Sequence, residues 1–283
     1  MKTQLERAQA FRSLHHLDRA FILPNPWDRG TAQLLAQLGF EALATTSAGY
    51  AFSLGLLDGQ VSRDAMLAHV GEIAASTELP VSGDLQNGYG DHPEAVGETI
   101  RLAAAQGLVG ASVEDASGND AAPIYEIGYA RERIQAAAEA AHALPFPFML
   151  CARAENFLYG RPDLKDTIAR LQAYQEAGAD VLYAPGITTR EEIATVLGEV
   201  DRPVNVLVGV AALDLSYDEL SKLGVRRLST GSALARAAFG TFLRAAQEMK
   251  EAGSFRFAKQ AAADSASLVP LLKGFAASSR SQQ

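Results

Sequence analysis

Short apolar runs alternate with longer stretches of helical periodicity from one end of the chain to the other. Eight runs read as buried strands: Phe21–Leu23, Ala42–Thr46, Pro80–Gly83, Gly110–Val113, Phe148–Ala152, Val181–Ala184, Val204–Val208 and Arg226–Ser229. Helix-start signals lie between them. Ser62 precedes Arg63–Ala75, Asp91 precedes a stretch with Pro93 in its first turn, Asp163 precedes Leu164–Ala177, and Ser216 opens Tyr217–Leu223. Each offers a side-chain oxygen to an otherwise unpaired amide.

Four helices run into a glycine and then directly into a strand, in the segments LGFEAL (Gly39), QGLVGAS (Gly107), AGADVLY (Gly178) and LGVRRLS (Gly224). Glycine takes the left-handed conformation that ends a helix, and a buried strand follows. Strand-then-helix units with short connections force parallel pairing, because each helix must carry the chain back over the sheet. Eight such units predict closure into a (β/α)8 TIM barrel, with an open doubly wound sheet as the rival. No Pro/Ser-rich linker divides the chain, so residues 1–283 are expected to form one domain. An Ala-rich helical extension covers about 232–275, and the tail SSRSQQ is expected to fray.

Composition narrows the class. Of 283 residues, 48% are hydrophobic and 20% charged, too apolar for a disordered chain. The formal charge of −8 disfavours nucleic acid and anionic lipid as partners, while leaving room for a local anion site. One cysteine, Cys151, excludes an internal disulfide and a multi-Cys zinc site, and its place inside the fifth strand reads as a small buried hydrophobe. The polar N-terminal segment and the lack of any apolar run of ~18 residues predict a cytoplasmic protein.

In a barrel of this kind, residues at the C-terminal ends of the strands face the mouth. In order these are Asn25 and Trp27, Thr46–Gly49, Asp84, Glu114–Asp115, Arg153 with Glu155, Asn205, and Ser229–Thr230. Hard cations take oxygen ligands, which makes Asp84 and Glu114 candidates for Mg²⁺ or Mn²⁺. Arg153 offers a planar fork for a carboxylate, and the small residues Thr46, Ser47 and Ala48 offer backbone amides for another. Metal, amides and arginine together suit a 2-oxo acid and its enolate. The histidines His15, His16, His69, His92 and His142 fall at helix starts or on helices, where surface or capping roles are expected.

These residues sit in segments that resemble the isocitrate lyase / phosphoenolpyruvate mutase superfamily over nearly the whole chain. The matches include PNPWDRGTAQLLAQLGFEAL, TTSAGYAFSLGLLD, SGDLQNGYG, ASVEDASG, the segment from CARAENFLYG to VLYAPG, and RLSTGSALARAA. The resemblance implies metal ligation around Asp84, with Glu114, Asp115 and Gln86 in the same site; Gln86 replaces the family's second turn carboxylate. It implies a carboxylate-cradling loop at Thr46, Ser47 and Ala48, an acidic residue of a mobile loop at Asp58, and a substrate-binding arginine at Arg153. Asn119 stands for a loop asparagine of the phosphonate branches, and Asn205 is taken as a further substrate contact. Asp58, Glu114 and Arg153 are the expected catalytic groups, and the family's last helix is often exchanged between subunits, giving a homodimer or homotetramer.

The loop after Glu114-Asp115 reads ASGNDAAPIY and lacks the Lys, Cys and His of true isocitrate and methylisocitrate lyases. The expected activity is therefore Mg²⁺-dependent C–C cleavage of a small 2-oxo or 2-hydroxy dicarboxylate through an enolate, of the decarboxylase or lyase kind. Water or Tyr89 would return the proton. The alternatives are P–C chemistry on phosphonopyruvate, and a keto-acid-binding barrel with little catalysis.

Overall fold

In the computed structural model, which describes residues 2–280, all eight expected strands form. They are β1 (Phe21–Leu23), β2 (Leu43–Ala44), β3 (Val81–Asp84), β4 (Gly110–Glu114), β5 (Met149–Arg153), β6 (Val181–Tyr183), β7 (Val204–Leu207) and β8 (Arg227–Ser229). All pair in parallel in the order β1-β8-β7-β6-β5-β4-β3-β2. The seam between β1 and β2 has no ladder; it closes through Ala44 N donating to Pro24 O at 3.1 Å and Asn25 Nδ2 donating to Thr45 O at 2.8 Å. The result is a (β/α)8 TIM barrel, and the doubly wound alternative falls.

The helices are α1 (Gln4–Leu14), α2 (Arg29–Gln37), α3 (Ser47–Ser53), α4 (Arg63–Ala75), α5 (Pro93–Ala105), α6 (Ile127–His142), α7 (Leu164–Glu176), α8 (Arg190–Glu199), α9 (Tyr217–Leu223), α10 (Ala233–Gln247) and α11 (Ala258–Arg280). Ser62, Asp163 and Ser216 accept hydrogen bonds from the first-turn amides as expected. Asp91 does not. His92 occupies the cap position of α5 without a side-chain bond, and Asp91 instead accepts from the Tyr125 hydroxyl at 2.5 Å. Gly39, Gly107, Gly178 and Gly224 all have positive φ, and at Gly224 (φ 109°) this residue itself ends the helix. Of the tail expected to fray, residues 278–280 continue α11, and 281–283 lie outside the described residues.

Two apolar layers hold the barrel. One lies between the strands' outer faces and the helices, built from residues such as Val81, Ile100, Ile134, Leu150, Leu171 and Val206. The other fills the barrel's interior from below, where Phe11 and Leu14 of α1 pack on Phe21, Leu23, Val109, Met149, Cys151 and Val181. Cys151 is fully buried, as its strand position implies. The histidine expectation holds in part at His15, the C-cap residue of α1 with its Nδ1 bonded to Phe11 O at 2.8 Å, but both His15 and His69 are buried where a surface place was the alternative. His15 is 2% exposed and stacks edge-on with Phe11 and Phe21, and His69 is 4% exposed with its ring flat on Tyr50 at 3.6 Å. Both are packing groups, because each helix turns its histidine inward.

Candidate active site

The C-terminal ends of the strands surround a cavity of about 370 Å³. Its wall includes Thr46, Ser47, Ala48, Asp58, Asp84, Gln86, Glu114, Arg153, Glu155, Tyr183, Arg227 and Ser229. Four carboxylates, those of Asp58, Asp84, Glu114 and Glu155, therefore meet two guanidiniums there.

Arg153 is the hub. Strand pairing sets it opposite Glu114 on β4 and Tyr183 on β6. Its Nη1 donates to Asp84 Oδ1 at 3.0 Å and its Nε to Glu155 Oε1 at 2.8 Å, its Nη2 forms an ion pair with Glu114 Oε2 at 3.1 Å, and its Cζ lies 5.3 Å from the centre of the Tyr183 ring. The fork expected to be open for substrate is thus fully engaged by protein carboxylates. Burial pushes the Glu114 carboxyl well above the usual range; Arg153 opposes this, and the nearby Glu155, Asp84 and Asp58 reinforce it. Glu155 is raised in the same way, by burial against the pull of Arg153. Burial alone would lower Arg153, but Glu114, Glu155 and Asp84 outweigh it and hold the guanidinium firmly charged.

The small-residue segment after β2 is a helix start rather than an open loop. Thr46 caps α3, its Oγ1 accepting from Gly49 N at 3.2 Å, and the Ser47 amide donates to Asp84 Oδ2 at 2.9 Å. One amide of the expected cradle is therefore already bound to a carboxylate. Gln86 and Tyr89 both adopt positive φ, at 49° and 60°. The buried Arg133 of α6 fixes this turn by donating to the carbonyls of Asn87, Gly90 and Asp91. That conformation turns Gln86 toward the mouth, where its Nε2 donates to Asp58 Oδ1 at 3.0 Å. The Tyr89 hydroxyl is buried without a protein partner and does not line the cavity; burial, then Asp84, Asp58 and Glu114, keep it protonated.

Three expected site residues stand elsewhere. Asp115 follows the last residue of β4 and turns away from the cavity; it is 1% exposed and accepts from Arg170 Nη1 at 3.0 Å, Tyr174 OH at 2.5 Å and Glu155 N at 2.8 Å. Its oxygens brace α7 against β5 and are occupied by protein donors. Asn119 lies exposed in the loop between β4 and α6, accepting from Ala121 N at 3.0 Å, outside the cavity wall. Asn205 points into the barrel but is buried behind the wall, bonded to Ser229 Oγ at 2.8 Å and Arg227 Nε at 2.9 Å. Glu155, expected at the mouth beside Arg153, lines the cavity together with Tyr183, and Arg227 belongs to it although it was not among the expected mouth residues. Strand alternation on β8, which puts Arg227 on the same face as Ser229, carried that signal.

The donor chemistry suits a hard dication. The carboxylates outnumber the guanidiniums, burial and then neighbouring carboxylates raise Glu114 and Glu155, and the carboxylate ligands offer oxygens. Among the described residues no group of three or more acidic, His or Cys side chains is placed to hold a metal ion by itself. Mg²⁺ needs no such group, since it keeps several waters and is held by one or two carboxylates together with substrate.

Comparison with known proteins agrees with this geometry. The sequence model of the phosphoenolpyruvate phosphomutase family matches residues 11–250. A solved structure from Burkholderia cenocepacia J2315, assigned provisionally as a lyase or mutase, is 61% identical, covers 90% of this chain and 92% of its own, and superposes with a TM-score of 0.88. The uncharacterized protein Rv1998c of Mycobacterium tuberculosis (strain ATCC 25618 / H37Rv) is 32% identical over 224 residues, 79% of this chain and 82% of that protein. Oxaloacetate decarboxylase 1 of Pseudomonas putida (strain W619) is 27% identical over 251 residues, covering 79% and 78%. With the family's match running through every strand that lines the cavity, this chain belongs to the phosphoenolpyruvate phosphomutase family.

Proposed function

We propose that the protein is a Mg²⁺-dependent lyase that breaks a C–C bond next to the carbonyl of a small 2-oxo or 2-hydroxy dicarboxylate, with oxaloacetate-type decarboxylation the leading activity. The observation that carries this reading is the engagement of Arg153 by Asp84, Glu114 and Glu155 at the barrel mouth. It makes a preorganised polar centre with surplus negative charge, suited to a dication and a chelating 2-oxo acid. The similarity to an oxaloacetate decarboxylase supports the choice of bond.

Asp84 and Glu114 would hold the ion, with Gln86 as a neutral neighbour. When bound, Mg²⁺ supplies positive charge opposite the oxygen on which the enolate's charge develops. Arg153, kept in plane by Glu155 and by the Tyr183 ring, fixes the positions of Asp84 and Glu114 and adds its own charge to that side of the cavity. Thr46, Ser47 and Ala48 shape the wall where the substrate carboxylate lies, with Ser47 N orienting Asp84. Asp58, tied to Gln86, covers the mouth. Tyr89 does not line the cavity, so of the two expected proton sources this reading keeps water.

The C-terminal helices support self-association. Phe242 and Phe255 are each 66% exposed, and Leu243 and Met249 are also open to solvent. A second copy of the chain would cover this apolar face, by exchange of α11 or by direct packing. Among the described residues no helix is long and apolar enough to cross a membrane.

The test is a panel of oxaloacetate, isocitrate, methylisocitrate and phosphonopyruvate, each with Mg²⁺ and with chelator. Release of CO₂ from oxaloacetate, or of a 2-oxo acid from isocitrate or methylisocitrate, that disappears with chelator supports the proposal. Phosphate release from phosphonopyruvate, or no turnover of any member, would refute it.

A further inference from the structure

The cavity contains a second guanidinium whose surroundings differ from those of every other buried arginine. Arg227 lies two residues before Ser229 on β8, so both side chains point into the barrel. It is only 3% exposed, yet it forms part of the cavity wall. Its Nε donates to Asn205 Oδ1 at 2.9 Å and its Nη2 to Cys151 Sγ at 2.8 Å, while Nη1 has no partner among the described residues. Among the described residues no carboxylate pairs with it. Arg133 and Arg170 are also buried, but they are bound to carbonyls and carboxylates respectively.

A buried cation without a counter-charge destabilises a fold, and a hydrophobic residue of similar volume would pack the barrel better. Among the described residues no anionic side chain pairs with Arg227 from beneath. That side is closed by α1 with Phe11, Phe21 and His15, and His15 is kept neutral by burial and by Arg227 itself. Cys151 is kept as the thiol by its own burial. Nη1 is buried and unpartnered among the described residues, and Arg227 is one of the residues that line the cavity, so the cavity is the side from which an anion would approach it. Within that cavity the other guanidinium, Arg153, already serves three carboxylates. The Arg227 plane is fixed from the side: Asn205, which accepts from Nε, donates in turn to Ser229 Oγ. A fork held in this way is preorganised for a carboxylate.

We propose that Arg227 is a specificity-determining residue that receives, through Nη1, the second carboxylate of the substrate, so that the site selects 2-oxo dicarboxylates over 2-oxo monocarboxylates. The inference rests on the reading of this cavity as a 2-oxo-acid site. It adds a division of labour: the 2-oxo-acid end goes to the Asp84–Glu114 side and the remaining carboxylate to the β7–β8 side.

The experiment compares two ligands that differ only in that carboxylate. Binding of 3,3-difluorooxaloacetate and 3,3-difluoropyruvate is measured by titration calorimetry with Mg²⁺, for the wild type and for Arg227→Met. The wild type is expected to bind the dicarboxylate roughly tenfold or more tightly than the monocarboxylate. Arg227→Met is expected to bring the two to within about twofold, with the monocarboxylate affinity unchanged and the unfolding temperature of the ligand-free protein equal or higher. If the methionine variant does not fold, Arg227→Gln, neutral but able to stay bonded to Asn205, is read in the same way. A preference that survives in the neutral variant, or an equal loss for both ligands, overturns the assignment of Arg227. Equal affinities in the wild type overturn it as well, while leaving the 2-oxo-acid reading intact; failure of the wild type to bind either ligand removes both.

Discussion

Gln86 donates to Asp58 at 3.0 Å, so an amide side chain ties the loop after α3 to the turn after β3. A carboxylate at position 86 would face Asp58 as a like charge. Both Gln86→Asp and Gln86→Ala should therefore release the segment from Leu54 to Gln60. Limited proteolysis would show cleavage there several-fold faster than in the wild type. Only Gln86→Asp should tighten Mg²⁺ binding, by adding a charged oxygen ligand, and metal titration calorimetry separates the two variants.

Asp84 accepts from both Arg153 and the Ser47 amide. Asp84→Ala should lower metal-dependent turnover by about a hundredfold or more. Its circular dichroism should match that of the wild type, because the lost contacts lie at the mouth and not in either apolar layer. Retention of full Mg²⁺-dependent activity would remove Asp84 from the metal site.

Asp115→Ala should behave in the opposite way. Removing this carboxylate leaves Arg170 and Tyr174 buried beside a gap, which costs about 3–5 kcal/mol. Urea unfolding should show that loss, while Mg²⁺ affinity of the folded fraction stays unchanged. An altered metal affinity without lost stability would return Asp115 to the ligand set.

Two buried histidines give the fold a dependence on acid. Burial lowers His15 to about 3, with Arg227 adding to the effect, and lowers His69 to about 4. Their folded-state values lie below the unfolded one, so the unfolded chain takes up protons first and stability falls as pH drops below about 6.5. At pH 5 each histidine costs about 2 kcal/mol relative to pH 7.5. Buried Glu114 and Glu155, raised in the folded state, run the other way. The test is therefore the difference between wild type and His69→Phe, which keeps the stacking on Tyr50. The variant should gain about 2 kcal/mol on the wild type between pH 7.5 and pH 5, measured by urea midpoints; a constant gap would contradict the buried neutral imidazole.

The exposed apolar side chains of α10 and the turn after it set the last expectation. Phe242→Glu together with Phe255→Glu should shift the protein toward the monomer in light scattering, at unchanged secondary structure. A monomeric wild type would remove the self-association proposal.

Much of the barrel was legible because its signals are local. Alternation marks strands, caps and glycines mark helix ends, and strand ends mark the mouth. The errors came where a side chain's direction depends on distant parts of the chain. Asp115 adjoins Glu114 in sequence, but one step past β4 reverses its side, and Arg170 and Tyr174 of α7 capture it. Asn119 sits in a loop whose bonds are to its own neighbours. The buried positions of His15 and His69 depend on which face α1 and α4 present to the barrel, and their sequence positions do not state it. Arg227 follows from alternation along β8, one layer below the strand-end residue Ser229.

The seam between β1 and β2 is held mainly by Asn25, whose Nδ2 binds Thr45 O while its Oδ1 accepts from Thr230 N and Oγ1 and from Gly231 N. One amide side chain thus fastens the first, second and eighth staves of the barrel where the ladder is missing. Thermal breathing should begin along this line, and because Thr46 and Ser47 hang from its upper end, the stiffness of the catalytic rim is inherited from a single asparagine.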